Sequence, residues 1–262
     1  MQRDNILIRL EDITFSYTKD RRVLDGIDFQ LNRKGKVGLI GPNGSGKTTL
    51  FHIIMGLIVP DSGRIEIFGK EMKDEKDFKE VRRRIGLLFQ DPDDQLFSPT
   101  VLEDVAFGPL NLGKSPSEAK EIALEILNFL GLEELQDRPP HRLSGGEKRL
   151  VSLATVLAME PDVLLLDEPT NGLDLETQYR IKDILRELDI SFIFISHDMD
   201  FISQTTQKVY AMVDGKMILD EGDIPHPHYH VHGYGRLPHT HTEHTYSPIL
   251  KGVRRDGKDK DS

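Results

Sequence analysis

The stretch Gly41-Pro42-Asn43-Gly44-Ser45-Gly46-Lys47-Thr48 constrains this chain more than any other. It fits the pattern of Gly, four residues, then Gly-Lys-Ser/Thr. A triphosphate has to be wrapped by backbone N–H groups, and only glycine lets the chain turn that tightly around it. Lys47 would reach the β- and γ-phosphates as a point charge, and Thr48 would offer its hydroxyl to Mg²⁺. Val37-Gly38-Leu39-Ile40 reads as a short buried strand before the loop. Thr48 to Met55 reads as an apolar-faced helix whose N-terminus points at the phosphates. Strand, loop and helix in that order predict a nucleotide-binding site.

Composition narrows the rest. With 262 residues the chain can build one large core, with room for a subdomain. A formal charge of −10 makes nucleic acid an unsuitable partner. The absence of Cys excludes disulfides, thiolate metal sites and cysteine nucleophiles. No run of about 18 apolar residues and no signal peptide is present. The chain is therefore expected to be cytosolic, with any membrane role supplied through a separate partner.

The chain opens with β-type alternation at Ile6, Ile8 and Leu10, and again at Ile13, Phe15 and Tyr17. Tyr17 has two readings, a half-buried strand aromatic or a platform for an adenine ring. Gly26 to Leu31 reads as another strand, Arg64 to Phe68 as a third, and Ile85 to Phe89 as an apolar strand ending at Gln90. The loop Asp91-Pro92-Asp93-Asp94-Gln95 follows, and the chain to about Glu160 reads as helical. Ser115-Pro116-Ser117-Glu118 is a capping box with Pro at the first helical position. Ala119, Ile122, Ala123, Ile126, Leu127 and Leu130 then repeat at helical spacing as a core stripe, and Gly131 ends the helix.

Leu143-Ser144-Gly145-Gly146-Glu147 carries two compatible readings. Ser144 and Glu147 have capping-box spacing. Two consecutive glycines are poor first-turn residues, and they make sense where N–H groups must approach an anion closely. Pro161 breaks that helix, and Val163-Leu164-Leu165-Leu166 then delivers Asp167 and Glu168 to a strand end, where ligands bind in α/β sheets. The expected division of labour gives Asp167 to Mg²⁺ through its water shell and Glu168 to the attacking water as base. Ser191 to Ser196 repeats the design and ends at His197, placed for contact with the γ-phosphate. Lys208 to Val213 and Lys216 to Leu219 form a hairpin around Asp214-Gly215.

Taken together, the loop at 41–48, Gln90, Leu143 to Glu147, Asp167-Glu168, Asn171-Gly172-Leu173-Asp174 and His197 resemble the ATP-binding-cassette (ABC) ATPases over residues 1 to about 222. The resemblance implies an α/β fold: a P-loop NTPase parallel-sheet core, an antiparallel β subdomain, and a helical subdomain at about 91–160. It implies ATP contacts from Tyr17, Gly41 through Thr49, Gln90, Ser144, Gly145, Gly146 and Glu147. Mg²⁺ falls to Thr48, Gln90 and Asp167, and catalysis to Glu168 and His197. Two such domains would pair head-to-tail, as a homodimer or with a second ABC ATPase, each ATP lying between one loop and the other subunit's Ser144–Gly146. The family's signature usually ends in Gln. Glu147 here changes its charge but not its glycine backbone.

Phe89 to Phe97 resembles the energy-coupling-factor class of micronutrient importers, especially the cobalt/nickel ATPases, and Glu103 to Pro109 continues the likeness. There the segment matching Gln95 lines a groove for helices of the integral membrane partner. That implies a peripheral protein on the cytoplasmic face of the membrane. The alternatives are an ABC ATPase of another importer, a soluble non-transport ABC protein, or a metal-storage protein in which the cassette is secondary.

After about Asp223 the character changes. Seven of ten histidines, His226, His228, His230, His232, His239, His241 and His244, lie among Pro, Gly, Thr and Tyr. Little there could form a core, so residues 223–262 read as a flexible tail. In an extended chain alternate side chains share one face about 7 Å apart, and two imidazoles could meet on one ion. Such a tract reads as a transition-metal site, and neutral imidazole suits Ni²⁺, Co²⁺, Zn²⁺ and Cu²⁺ alike; the cobalt/nickel resemblance implies Ni²⁺ or Co²⁺.

Overall fold

The computed structural model describes residues 5–18 and 21–220. The His-rich stretch lies outside the described residues. An antiparallel sheet is built from β1 (Ile6–Thr18), β2 (Arg21–Asn32), β4 (Ser62–Ile67) and the short β5 (Lys70–Glu71), in the order β2-β1-β4-β5. The second sheet holds β3 (Lys36–Ile40), β6 (Ile85–Leu88), β7 (Val163–Asp167), β8 (Ser191–Ile195), β9 (Lys208–Val213) and β10 (Lys216–Asp220), in the order β10-β9-β3-β8-β7-β6. Its strands run parallel except β10, which closes one edge as the antiparallel half of the predicted hairpin. Asp214 and Gly215 both take positive φ, the backbone that a tight two-residue hairpin turn requires.

Every residue of β7 and β8 is buried, as parallel strands covered on both faces must be. Their alternation divides two cores. Val163, Leu165, Ile193 and Ile195 pack with the antiparallel sheet and α1 (Lys47–Ile54). Leu164, Leu166, Phe192 and Phe194 pack with the helical layer. That layer contains α3 (Val101–Asn111), α4 (Pro116–Phe129) and α5 (Gly145–Leu157), followed by α6 (Leu175–Glu187) and α7 (Met199–Thr205). The α4 stripe is as expected: Ala119, Ala123, Leu127 and Leu130 are buried, with Ile122 and Ile126 packed beside them.

Three local differences have physical causes. The two opening stretches are one strand, β1, and the shift of its alternation from even to odd positions is a bulge. Asp12 takes φ 52° there, between buried Leu10 and Ile13. The loop 91–95 contains a 3-10 turn at Pro92–Asp94, capped by Asp91. A further helix, α2 (Glu75–Arg84), escaped the periodicity reading because every residue in it except Phe78 and Val81 is charged. Its signals are terminal instead: Asp74 caps it, Glu75 and Asp77 open it, and Arg82 to Arg84 close it, as the helix dipole favours.

Candidate functional site: the nucleotide cavity

Of the seven α-helices among the described residues, six have an Asp, Ser or Thr side chain capping their first turn. The exception is α1, whose N-cap Gly46 sits in left-handed backbone with no side-chain cap, so its first N–H groups stay open to an anion. Glycine is required there by a φ of 102°, and a Cβ on Gly46 would also come within 3.0 Å of the Val23 carbonyl oxygen. A Cβ on Gly41 would collide with the Met212 carbonyl of β9. The hydroxyl of Ser45 is buried without a partner among the described residues, an unmet polar group inside the loop.

The charges converge on this loop. Lys47 is buried, and its Nζ donates to the carbonyls of Gly41 (2.8 Å) and Pro42 (3.0 Å). Thr48 Oγ1 donates to Asp167 Oδ2 at 2.7 Å. Glu168 follows in left-handed backbone, φ 47°, held by its N–H on the Ile195 carbonyl at the end of β8. The neighbouring strand end supplies His197, whose Nε2 lies 3.2 Å from Glu168 Oε1 and 3.1 Å from Asn43 Oδ1.

Burial pushes the Asp167 carboxyl up, against the Thr48 hydrogen bond and the Lys47 charge, which pull it down. Burial likewise pushes Glu168 up, opposed first by His197. The same burial lowers Lys47, while Glu168 and Asp167 oppose the shift. A carboxylate whose proton affinity is raised this way is better suited to accept a proton from water.

These groups line one cavity of about 810 Å³, within the range of small-molecule sites. Tyr17 stands at its rim, 60% exposed, with its ring edge-on to Phe15 and its hydroxyl 3.1 Å from Thr49 Oγ1. Its exposure removes the half-buried strand reading. Asn171, from the loop that carried part of the resemblance, lines the cavity, and so do Thr18, Arg21 and Val23, which no spacing marks in the sequence. Gln90 borders this cavity and an adjoining one of about 600 Å³ that reaches His52, Asp91 and Asp94.

The pattern of the ABC transporter family matches residues 24–171. The energy-coupling factor transporter ATP-binding protein EcfA of Methanocaldococcus jannaschii is 46% identical over 220 residues, which cover 82% of this chain and 78% of that one. The chain belongs to the ABC transporter ATPases. Among solved structures, cbiO1 of Clostridium perfringens, described as part of the ABC transporter complex cbiONQ, superposes with a TM-score of 0.75. It is 38% identical, over 82% of this chain and 88% of that one. The cassette MJ0796, in a dimeric post-hydrolysis state bound to ADP and Pi, gives a TM-score of 0.74 at 27% identity, over 83% of this chain and all of that one. The ABC ATPase reaction is hydrolysis of ATP to ADP and phosphate, coupled to transport.

Within this cassette, Ser144, Gly145, Gly146 and Glu147 do not line the cavity. They start α5, where Ser144 and Glu147 form the predicted capping box, with Ser144 N–H donating to Glu147 Oε2 at 2.7 Å. Those bonds hold the Glu147 carboxyl below its usual range. The carboxylate in place of the usual Gln is thus engaged with its own helix. A Cβ on Gly145 would meet nothing, so that face is open, whereas Gly146 packs against Thr177 of α6.

Gln95 departs from the expected groove-facing role. Its amide turns inward, with Oε1 accepting from Phe89 N–H (3.2 Å) and Nε2 donating to the Ser152 carbonyl (2.8 Å) and Thr155 Oγ1 (2.7 Å). The buried Arg149 was not marked by sequence reasoning at all, although it donates to the carbonyls of Phe89 and Gln90.

Proposed function

We propose that this chain is the ATPase subunit of an energy-coupling-factor importer for a divalent metal, Co²⁺ or Ni²⁺, working as a dimer beneath integral membrane subunits. The observation that carries the reading is the likeness to cbiO1 over 88% of that chain. The placement of Ser144–Gly146 off the cavity supports pairing, since a partner's signature would be needed to cover the ATP. Among the described residues no helix is long and apolar enough to cross a membrane, so transport calls for separate membrane subunits.

In this reading ATP lies along the cavity with adenine against Tyr17 and its phosphates in the Gly41–Thr49 loop, under Lys47 and the open end of α1. Thr48, Asp167 and Gln90 offer the hard oxygen donors that suit Mg²⁺, which would neutralise the phosphate oxygens. Glu168 takes the proton of the attacking water as its oxygen bonds to the γ-phosphorus and the bond to ADP breaks. His197, bonded to both Glu168 and Asn43, orients that carboxylate.

The surface for the membrane partner is the segment around Gln95 rather than its amide. Phe97 (66% exposed) and Phe107 of α3 stack edge-to-face, 4.9 Å apart, on the helical subdomain. The adjoining cavity with Asp91 and Asp94 lies at the other end of the same segment. Expressed with its membrane subunits and solubilised in detergent, the tagged chain should bring down integral membrane proteins and support ATP-dependent metal uptake. Recovery of the chain alone, with uptake unchanged in its absence, would reject the transport reading.

The tail from His226 to His244, outside the described residues, is proposed to collect the metal. A chain truncated at Asp223 should fold and hydrolyse ATP normally, yet lose most of its Ni²⁺ or Co²⁺ binding in equilibrium dialysis at pH 7.5. Free imidazole has a pKa of about 6.5, and only its neutral form ligates, so binding should fall steeply below about pH 6. Equal metal binding by the truncated chain would leave the tail without this role.

A further inference from the structure

The chain leaves the sheet at Leu88, the last residue of β6 paired to β7. Beyond it, backbone groups of Phe89 and Gln90 are satisfied by side chains anchored to one helix, α5. Arg149 Nη1 donates to the Phe89 carbonyl at 2.6 Å, and its Nη2 donates to the Gln90 carbonyl. Phe89 N–H donates to Gln95, whose amide is tied in turn to Ser152 and Thr155 of α5. Lys148 adds an ion pair to Asp93 at 2.6 Å, with the Asp93 side open to solvent and the contact of little energetic weight.

Arg149 is the costly member of this brace. It is 3% exposed, and its Nε is buried without a partner among the described residues. A buried guanidinium with an unmet donor is poor stabilisation compared with an apolar side chain of similar volume. What it supplies is geometry: a rigid planar fork that grips two successive carbonyls at once. Gln90 lines both the nucleotide cavity and the adjoining one, whereas Arg149 lines only the adjoining one.

We infer that Arg149 is a positioning residue that locks Gln90 to the signature helix and so couples the two ATP sites of the dimer. Gln90 borders the chain's own nucleotide, while the N-terminal end of α5, Ser144–Gly146, about one turn from Arg149, serves the nucleotide of the partner. A displacement of Gln90 at one site therefore moves α5 as a body and changes the covering of the other. This rests on the head-to-tail dimer proposed above.

The test compares full-length wild type with Arg149→Met and Arg149→Lys in steady-state ATPase assays and titration calorimetry. ATP affinity of the Arg149→Met monomer should stay within about twofold, because Arg149 lines only the adjoining cavity and reaches Gln90 through its backbone carbonyl. Its kcat should fall about ten- to a hundredfold, the scale of a small misplacement, and its Hill coefficient should drop from near 2 to about 1. Arg149→Lys keeps the charge without the fork and should behave like Arg149→Met in cooperativity. A wild-type Hill coefficient and kcat in both variants would overturn the inference. Should Arg149→Met fail to fold, Gln95→Leu cuts the other half of the brace, and cooperativity retained there would overturn it as well. Dimer formation by Glu168→Gln with ATP on gel filtration separates the two readings. No dimer and no wild-type cooperativity reject both, whereas a cooperative dimer with unaffected Arg149 variants rejects only the coupling.

Discussion

Glu168→Gln should bind ATP but hydrolyse it about a hundred- to ten-thousandfold more slowly, the usual cost of losing a general base. The amide keeps the shape of the side chain and its contact with His197, but it cannot take the proton of the attacking water. The protein should therefore accumulate as an ATP-bound dimer on gel filtration. Near-normal turnover would move the base elsewhere. The wild type's pH profile carries the same assignment. Glu168 acts only when ionised, and burial raises its pKa, so a given acidic pH leaves less of it ionised than an ordinary glutamate. The acid limb of kcat should thus lie above the ordinary glutamate range. His197 is the largest influence pulling that pKa down, so His197→Ala should move the limb to still higher pH. A limb that stays in place in Glu168→Asp and His197→Ala alike would assign it to another group.

Lys47→Ala should weaken ATP binding itself, by about ten- to a hundredfold, since a hydrogen bond to a charged group contributes about 1.5–3 kcal/mol. The loss has two parts in this structure. The phosphates lose their point charge, and the carbonyls of Gly41 and Pro42 lose the donor that gathers the loop. Removing the cation also takes away a charge that lowers the pKa values of Asp167 and Glu168, so both should rise further. Unchanged affinity in titration calorimetry would count against the phosphate-loop assignment.

Several features are written in short stretches of sequence because their physics is short-range. The loop at 41–48 needs its glycines for backbone conformation and close packing, whatever lies around it. The capping boxes at Ser115–Glu118 and Ser144–Glu147 close within one helical turn, and the Asp214-Gly215 hairpin within two residues. The two apolar strands β7 and β8 announce their burial by lacking any polar face, and their terminal residues Asp167, Glu168 and His197 follow from strand direction. The β1 bulge is visible as a slipped alternation. Helix α2 was missed because its two apolar residues make no stripe.

Tertiary structure decided everything that joins distant segments. Thr48 meets Asp167 across 119 positions, and His197 meets Asn43 across 154, because three neighbouring parallel strands, β3, β8 and β7, bring their ends to the same edge. No local pattern could say that Tyr17 would be left open at the rim, or that Arg21 and Val23 would share its cavity. The polarity of Gln95 suggests a surface residue. Only the fold shows that Phe89 N–H, having left the sheet, needs its carbonyl oxygen as an acceptor. Nothing in the sequence marks Arg149. It is buried because the end of β6 leaves two carbonyls facing α5, and a guanidinium is the side chain that satisfies both at once.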